Sequence, residues 1–401
     1  MKGTINGDHS AVAQSKVNGH IDIVSKENQV FVLRKKGDFA YETRRTPNLP
    51  TNRHVLVKIL ATGICGSDVR SSFECIDSVY LTSSSRVHYW KHGKIGPFVV
   101  EQPLVLGHES AGIIVQCGSE VKTLKLGDRV AIEPGVPCRS CEFCRGGKYN
   151  LCDEMKFAAT PPVDGTLATY YTVPEDFCFI LPPHISIEEG ALVEPLSIAV
   201  HCTKLASVSM GHKVLVMGAG PIGLQCCAVT RALGASVVIA TDIVDSRLDF
   251  ASQYAATHTS KMQKEVPEVN ANNIMLNCGI PTGADVVIDA TGVAACISAG
   301  VFALKKGGVF VQAGLGAPDI QFPVGELCSK EGVYKASFRY GPGDYALSIK
   351  LLEGKKVDLK ALITHTFDFG SAAEAFASTS RQEGIKTIIY GPKGDALPVG
   401  S

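Results

Sequence analysis

The most informative chemical feature of this chain is a run of four closely spaced cysteines. Cys138, Cys141, Cys144 and Cys152 follow the spacing C-x2-C-x2-C-x7-C in a loop-like stretch. Four thiolates at this spacing can surround one tetrahedral zinc ion at Zn–S distances of roughly 2.3 Å. Because four thiolates leave no open coordination position, such an ion can stabilise a lobe over residues 135–153 but cannot activate a substrate. Catalytic residues must therefore lie elsewhere.

A second set of side chains can hold a zinc ion that keeps an exchangeable position. Cys65 follows a strand-like stretch, and His108 and Glu109 lie in a Leu-Gly-His-Glu sequence. A thiolate, an imidazole and a carboxylate suit an ion that binds an alcohol oxygen, lowers its pKa and favours hydride loss. We predict Glu194 as a further ligand, directly or through water, with a helix-capping carboxylate as the alternative. Ser67 is predicted to accept the alcohol proton, unless it serves only as a turn residue.

A third set of residues predicts a dinucleotide site. A buried-strand pattern over residues 213–217 runs into Gly218-Ala219-Gly220-Pro221-Ile222-Gly223, and a helical apolar pattern follows. In this setting, G-x-G-x-x-G permits a tight turn, close approach of the pyrophosphate and packing of helix on strand. Asp242 ends the next predicted strand, where a carboxylate binds the ribose hydroxyls of NAD and repels the 2′-phosphate of NADP. Arg247 lies near enough in sequence to leave NADP as an alternative.

Strand and helix patterns divide the chain into two domains. They alternate through residues 198–333, which predicts a Rossmann domain with a doubly wound parallel sheet. Strand-rich sequence occupies residues 29–197, and residues 334–401 are expected to return to that first domain. The fold class is therefore α/β, with a ligand cleft between the domains. The nicotinamide end of the cofactor should lie against residues that follow two later strands, namely Thr291, Gly314 and Leu315.

Composition is consistent with a two-domain enzyme. The chain has 401 residues, and its 39 basic and 39 acidic side chains give no electrostatic attraction to nucleic acid or to a membrane surface. No apolar run is long enough for a membrane span. Five of the 14 cysteines are assigned to metal sites, and the others are expected to be reduced core residues. Residues 1–28 are polar and lack a signal-peptide pattern, which predicts a disordered tail on a cytoplasmic protein.

These motifs together resemble the zinc-dependent medium-chain dehydrogenases, in particular the polyol branch of sorbitol, xylitol and arabinitol dehydrogenases. The similarity includes Val193-Glu194-Pro195-Leu196-Ser197. The segment Ser337-Phe338-Arg339-Tyr340-Gly341, followed by Gly343-Asp344-Tyr345, is similar to the version in fungal xylitol dehydrogenases. The resemblance implies a GroES-like β-rich catalytic domain interrupted by the Rossmann domain, and a homo-oligomer, either a dimer or a tetramer. The two complete ligand sets predict two zinc ions per chain, one catalytic and one structural.

The resemblance also implies the reaction, which is NAD-dependent oxidation of a polyol to a ketose. Xylitol to D-xylulose is the expected case, with L-arabinitol or sorbitol as alternatives and a simple alcohol or aldehyde reductase as a further one. Tyr89, Arg339 and Tyr340 resemble residues that contact the polyol. Arg339 suits a substrate with many hydroxyls because its guanidinium offers five donors. His88 either assists the proton relay or is an exposed ring.

One segment departs from the family pattern. Residues 70–87 separate Asp68-Val69 from His88-Tyr89-Trp90, which follow each other directly in the family. The added stretch enters near Cys65, on the predicted wall of the substrate pocket. It is either a lid over that pocket or an artefact of the gene prediction, such as a translated intron. A disturbed pocket would leave a catalytically impaired protein that still binds NAD and zinc.

Overall fold

The computed structural model describes residues 14–17, 20–65, 94–95 and 98–393. The predicted site residues Ser67, His88 and Tyr89, and the added stretch 70–87, lie outside the described residues. The described part of the chain contains the strands β1 (Gln14–Val17), β2 (His20–Ile23), β3 (Glu27–Lys35), β4 (Asp38–Arg45), β5 (His54–Gly63), β6 (Lys94–Ile95), β7 (Phe98–Val99), β8 (Leu104–Val105), β9 (Glu109–Cys117), β10 (Arg129–Ile132), β11 (Gly135–Val136), β12 (Lys156–Phe157), β13 (Tyr170–Pro174), β14 (Cys178–Ile180), β15 (Lys213–Met217), β16 (Val237–Asp242), β17 (His258–Lys261), β18 (Ala284–Asp289), β19 (Leu304–Gln312), β20 (Val333–Ala336), β21 (Ile363–Phe367) and β22 (Lys386–Tyr390). The α-helices of the same part are α1 (Glu142–Arg145), α2 (Ile187–Ala191), α3 (Val193–Leu205), α4 (Pro221–Ala232), α5 (Asp245–Tyr254), α6 (Pro267–Asn277), α7 (Ala294–Ala303), α8 (Val324–Ser329), α9 (Asp344–Glu353) and α10 (Ala372–Ser380).

The β-rich domain is built on a seven-stranded sheet. Its strands lie in the order β14-β10-β9-β5-β22-β21, and β13 also pairs with β5. The central strand β5 is rich in Val, Leu and Ile, and these side chains are largely buried, as its position inside the sheet requires. β5 is antiparallel to both β9 and β22, so that Gly63 at its end lies opposite Glu109 on one side and Ile388 on the other. Three strand termini therefore meet at one edge of this sheet.

The predicted Rossmann sheet is confirmed. Six parallel strands lie in the order β17-β16-β15-β18-β19-β20. Counted along the chain from β15, this is the order 3-2-1-4-5-6 of dinucleotide-binding domains. The strand order reverses between β15 and β18, and ligands of such sheets bind at the carboxyl ends of the strands on either side of that point. The two domains of the predicted α/β fold are thus both present.

The observed elements differ from the predicted domain limits in two places. Helix α3 runs without interruption across the predicted boundary between residues 197 and 198, because no Gly or Pro follows Pro195 within it. Strand β20 extends the Rossmann sheet to Ala336, past the predicted limit at residue 333. After α9 the chain contributes β21 and β22 to the first sheet.

Strands lie within residues 1–28, the range that the sequence analysis predicts as a tail. β1 and β2 pair as a two-stranded antiparallel sheet, and β3 begins at Glu27, inside the predicted range 1–28. Polar and apolar residues alternate in His20-Ile21-Asp22-Ile23, which is the period of a strand.

Among the helices that the structure describes, none combines the length and apolar character needed to cross a membrane.

Candidate active site

Strand pairing brings three of the predicted metal ligands together. Cys65 lies just after the end of β5, His108 just before β9, and Glu109 is the first residue of β9. Because these strands are antiparallel neighbours, one donor atom from each of the three side chains lies within 4.8 Å of the others. His108 and Glu109 are buried, and Cys65 is half-buried. One thiolate, one imidazole and one carboxylate in this arrangement fit a zinc ion.

Glu194 lies close to Cys65, His108 and Glu109, but its carboxylate is farther from them than they are from one another. It is the second residue of α3, and the donor atoms within 4.8 Å of one another do not include its carboxylate. The pKa of Glu194 is raised to about 7, first by burial and then by the charge of Glu109, against the opposing effects of His108 and Lys386. The role of Glu194 as a ligand, directly or through water, stays a prediction.

The carboxylate of Glu194 and the hydroxyl of Tyr340 are buried near each other at this site. Oε2 of Glu194 and the hydroxyl oxygen of Tyr340 make no hydrogen bond of full geometric quality with the described residues, although the two side chains interact and Tyr340 lowers the pKa of Glu194. Buried polar groups of folded proteins are nearly always hydrogen-bonded, so these two groups suit a site that binds a further polar group. Both residues were predicted site residues, and both atoms are available to a bound hydroxyl or water.

Two glycines make room for the metal-ligand group. A Cβ atom at Gly63 would lie 2.3 Å from Oε2 of Glu109. Gly107, directly before His108, has a φ of +87°, and a Cβ there would lie 2.8 Å from the Cγ of Leu167. A side chain at either position would displace the carboxylate or the neighbouring loop, which explains why glycine precedes both parts of the ligand group.

A buried lysine that sequence reasoning missed is paired with Glu109. Nζ of Lys386, the first residue of β22, donates to Oε1 of Glu109 at 2.7 Å and lies 2.5 Å from Oε2. The same Nζ donates to the backbone oxygen of Ile64 at 2.9 Å, next to Cys65. Although burial lowers the pKa of Lys386, the charges of Glu109 and Cys65 raise that pKa overall. No local pattern marks this lysine, because Glu109 is 277 positions away along the chain.

The four-cysteine lobe has the geometry of a closed metal site. One Sγ atom from each of Cys138, Cys141, Cys144 and Cys152 lies within 4.8 Å of the others, and Cys138 and Cys144 are 3.9 Å apart. Tetrahedral Zn–S bonds of about 2.3 Å place the sulfur atoms about 3.8 Å apart, so the four fit one zinc ion. Backbone N–H groups of Cys141 and Cys144 donate to the sulfurs of Cys138 and Cys141, which favours thiolates. β11 and β12 pair across the base of the lobe.

The base of the lobe also contributes an aromatic side chain that sequence reasoning missed. The ring centroid of Phe157, in β12, is 5.7 Å from that of His108. The guanidinium carbon of Arg339 lies 4.0 Å from the centroid of the Phe157 ring, within cation–π range. Phe157 therefore connects the predicted polyol-contacting arginine with a metal ligand. Nothing in the local sequence distinguishes this phenylalanine from an ordinary core residue.

A buried acid beneath the lobe gives a pH-dependent prediction. The hydroxyl of Tyr149 donates to Oε1 of Glu133 at 2.5 Å, and burial raises the pKa of Glu133 to about 8 from its usual 4.5. The folded protein therefore keeps a proton that the unfolded chain releases between these pH values, so Glu133 makes the protein less stable as the pH rises through this window.

Replacing Glu133 by glutamine should raise the free energy of unfolding at pH 8 by about 1–2 kcal/mol, and by much less at pH 5, because glutamine carries no titrating proton. Thermal melts of both proteins at the two pH values measure this difference. Glu142→Gln, an exposed change on the same lobe, is the matched control and should show no such pH dependence. A stabilisation that is equal at pH 5 and pH 8 would contradict the assigned cause.

The glycine-rich loop follows β15 and leads into α4, as predicted. Gly218 has a φ of +98°, which only glycine adopts readily. A Cβ at Gly223 would lie 1.8 Å from the backbone oxygen of Gly218, so the third glycine allows helix and strand to pack. A Cβ at Gly220 would meet nothing within 4 Å, which leaves space beside the loop. Pro221 occupies the first turn of α4, ahead of Ile222 in the same turn, where a missing N–H costs nothing.

Asp242 and Arg247 lie beside this loop. Oδ2 of Asp242 accepts a hydrogen bond from the backbone N–H of Ala219 at 3.0 Å, inside the glycine-rich sequence. The guanidinium of Arg247 is 3.7 Å from the same oxygen and donates to Oε1 of Gln382 at 3.2 Å. The positive charge of Arg247, which raised the alternative of NADP, is thus directed at Asp242.

The loops after β18 and β19 pack tightly on each other. A Cβ at Gly314 would lie 2.2 Å from the backbone nitrogen of Gly292. The fully buried Asp289, which sequence reasoning missed, accepts hydrogen bonds of 2.6 Å from the hydroxyl of Thr291, the N–H of Gly292 and the amide of Gln312. The Asp289 carboxylate therefore holds Thr291 directly and Gly314 through the Gln312 amide, which also donates to the backbone oxygen of Gly314 at 2.6 Å, while Leu315 is exposed at the outer end of its loop.

Comparisons with known proteins agree with this arrangement. Residues 51–183 match the family described as alcohol dehydrogenase GroES-like domain, and residues 221–354 match the family described as zinc-binding dehydrogenase. A probable D-xylulose reductase A from Aspergillus clavatus is 50% identical over 365 residues, which cover 91% of this chain and 97% of that protein.

Two solved structures share the fold over nearly the whole chain. L-Idonate 5-dehydrogenase from Escherichia coli superposes with a TM-score of 0.78 at 26% identity, covering 91% of this chain and 98% of that one. A protein of Escherichia coli CFT073, described as a short chain alcohol dehydrogenase complexed with the cofactor NADH, has a TM-score of 0.78 at 25% identity. That superposition covers 91% of this chain and 100% of that one.

Proposed function

This chain belongs to the zinc-binding alcohol dehydrogenase family, and on that premise we propose that it oxidises a polyol to a ketose, with xylitol to D-xylulose as its reaction. The observation that carries the proposal is the convergence of a metal-ligand group with two further buried polar groups. Cys65, His108 and Glu109 lie together, and the buried Glu194 interacts with His108 and Glu109 on one side and with Tyr340 on the other. The relative from Aspergillus clavatus, named for D-xylulose, supports the choice of substrate.

The proposed roles of the residues follow from their chemistry. When bound to Cys65, His108 and Glu109, zinc supplies a Lewis acid that lowers the pKa of the substrate alcohol. Lys386 neutralises the buried charge of Glu109, so the site keeps a positive charge that favours an anionic oxygen. Glu194 and Tyr340 are proposed to orient the hydroxyl that reacts. Ser67, His88 and Tyr89, outside the described residues, stay predictions for the proton relay and substrate contact.

Arg339 is proposed to bind the hydroxyls that do not react. Its guanidinium lies over the Phe157 ring, which adjoins the ring of His108. A planar group with five donors beside the metal-ligand group suits a substrate with several hydroxyls better than a simple alcohol. Phe157 would then limit the rotation of the guanidinium, so that fewer conformations are lost when the substrate binds.

We further propose two zinc ions per chain and NAD as the hydride acceptor. The second zinc is assigned to the four-cysteine lobe. NAD is supported by Asp242, which lies beside the glycine-rich loop and draws the guanidinium of Arg247 to its own carboxylate. The helix start at Pro221 provides backbone N–H groups and a partial positive charge for the pyrophosphate.

Asp242 decides the choice of cofactor if this assignment is correct. Asp242→Ala is expected to lower kcat/KM with NAD by roughly 10- to 100-fold, because hydrogen bonds to a charged group are worth about 1.5–3 kcal/mol. It should also raise kcat/KM with NADP, because Arg247 is released to meet a 2′-phosphate. Initial rates with both cofactors test this. The double variant Asp242→Ala/Arg247→Ala should lose the gain with NADP, and an unchanged NAD to NADP ratio in the single variant would refute the assignment.

A substrate panel tests the proposed function directly. The purified protein is assayed with xylitol, sorbitol, L-arabinitol and a monohydroxy secondary alcohol, each with NAD and with NADP, and NADH formation is followed by absorbance. We expect the highest kcat/KM for xylitol with NAD. A higher value for L-arabinitol or sorbitol would reassign the polyol, a preference for the monohydroxy alcohol would overturn the polyol assignment, and no turnover of any substrate would leave a non-catalytic binding protein.

The edge of the Rossmann sheet supports the proposal of a homodimer. β20 is the last strand in its sheet, and Val333 and Tyr334 on it are exposed. An edge strand with exposed apolar side chains is a template for pairing with a second strand, so we propose that two copies of β20 pair. Light scattering after size exclusion should give twice the monomer mass.

The cytoplasmic location expected from the sequence stays a prediction, which fractionation of cells expressing the protein would test.

A further inference from the structure

A fully buried carboxylate joins two helices behind the proposed substrate site. Asp344, the first residue of α9, has no exposed surface. Its Oδ2 accepts hydrogen bonds from His201 Nδ1 at 2.8 Å and from the backbone N–H of Gly341 at 2.7 Å, and Oδ1 lies 2.5 Å from Nζ of Lys204. His201 and Lys204 both belong to α3, the helix that begins beside Glu194. We call Asp344, His201 and Lys204 the Asp344 cluster.

The Asp344 cluster holds the segment that carries Arg339. Arg339 and Tyr340 directly precede Gly341, whose N–H is bound by Asp344. Arg339 has a φ of +57°, a left-handed conformation that a non-glycine residue adopts only when its surroundings impose it. The Nδ2 of Asn150 donates to the backbone oxygen of Phe338 at 2.9 Å, which fixes the other end of the same turn. The turn around Arg339 is thus bound on both sides.

The conformation of this turn decides where the guanidinium of Arg339 lies. In the observed conformation it is 4.0 Å from the Phe157 centroid, and Phe157 adjoins His108. If Gly341 lost its anchor, the strained φ of Arg339 would relax, and the guanidinium would move away from Phe157 and from the metal-ligand group. Displacements of about 1 Å at a reacting site can cost on the order of a hundredfold in rate.

We propose that the Asp344 cluster is a positioning device that sets polyol affinity by holding Arg339 beside the metal-ligand group. This inference rests on the proposed function, because it assigns a consequence to the proposed contact between Arg339 and a polyol. The described hydrogen-bond partners of Asp344 are His201, Gly341 and Lys204, and its proposed effect on Arg339 passes through the Gly341 backbone. The cost of burying its carboxylate is offset by the ammonium of Lys204 and by hydrogen bonds from His201 and from the N–H of Gly341.

A double-mutant cycle tests whether Asp344 acts through Arg339. kcat and KM for xylitol, at saturating NAD, are measured for the wild type, Asp344→Asn, Arg339→Met and the double variant. Asp344→Asn should lower kcat/KM roughly 30-fold, mainly through a higher KM for xylitol, with the KM for NAD unchanged. In the Arg339→Met background, Asp344→Asn should lower kcat/KM by less than about threefold, because the guanidinium that Asp344 positions is already absent.

Losses that multiply in the double variant, or an Asp344→Asn protein within about twofold of the wild type, would overturn the inference. An equal rise in the KM for NAD would show a merely structural role. If Asp344→Asn does not fold, His201→Asn and Lys204→Met each remove one partner of Asp344 and take its place in the same cycle. The conservative variant Lys204→Arg keeps the positive charge, so its kcat/KM should stay within about threefold of the wild type. Asp368→Asn, in an exposed ion pair with Lys393, is the matched control and should match the wild type. A wild type that oxidises no polyol would overturn the proposed function itself, before any variant is compared.

Discussion

Replacing Cys65 by serine is expected to reduce polyol oxidation on the order of a thousandfold and to lower the zinc content from two ions per chain to one. Cys65 is the proposed thiolate ligand of the mixed group, and a neutral serine hydroxyl is a far weaker zinc ligand at neutral pH. Loss of the ion removes the Lewis acid that lowers the pKa of the alcohol, which is worth several kcal/mol at the transition state. The thermal melt should change little, because this group stands at the ends of strands that pair independently of it.

A cysteine change in the four-cysteine lobe should affect stability more than the change at Cys65 does. Cys141→Ser is expected to lower the thermal stability strongly as well as the zinc content, since a closed thiolate site contributes its binding energy to the folding of its own loop. Elemental analysis, melting temperature and kcat/KM for each variant separate the two sites. Cys117→Ser, at a half-buried cysteine outside both ligand groups, is the matched control and should keep two zinc ions and full activity. Two zinc ions in Cys65→Ser, or one in the wild type, would contradict the assignment.

Lys386→Met is expected to lower the free energy of unfolding by about 3–5 kcal/mol, the usual cost of removing one partner of a buried ion pair. The variant removes the lysine that pairs with the buried Glu109, and it also removes the hydrogen bond to the backbone oxygen of Ile64. Because Ile64 directly precedes Cys65, affinity for the catalytic zinc should fall as well. Chemical denaturation measures the stability, and competition with a chelator measures the affinity.

A lysine in an exposed ion pair provides the control for this experiment. Lys393→Met removes the partner of Asp368, where both side chains are largely exposed, and should change the free energy of unfolding by less than about 0.5 kcal/mol. If Lys386→Met and Lys393→Met lowered the free energy of unfolding equally, burial of the Lys386–Glu109 pair would make no contribution to stability. A loss of stability in Lys386→Met without any loss of zinc affinity would limit the role of Lys386 to the fold.

The features that the sequence by itself determined are those with a short-range signature. The four cysteines lie within fifteen positions of each other, and the glycine-rich loop is specified by its spacing between one strand and one helix. Such patterns constrain the backbone locally, so the donor set, the tight turn and the helix start can be inferred before any fold is known. The alternation of strand and helix likewise predicts a parallel sheet, and that sheet is present.

Only the tertiary structure decided which distant residues meet. Cys65 and His108 converge because β5 and β9 are antiparallel neighbours, and Lys386 joins them because β22 pairs with the other side of β5. The roles of Phe157 and Asp289 and the pairing of Asp344 with His201 cannot be inferred from the residues around each of them, since a single buried ring or carboxylate is common in any core. Their roles arise from contacts between residues far apart in the chain, and long-range pairing is set by the packing of the whole sheet rather than by the sequence around each residue.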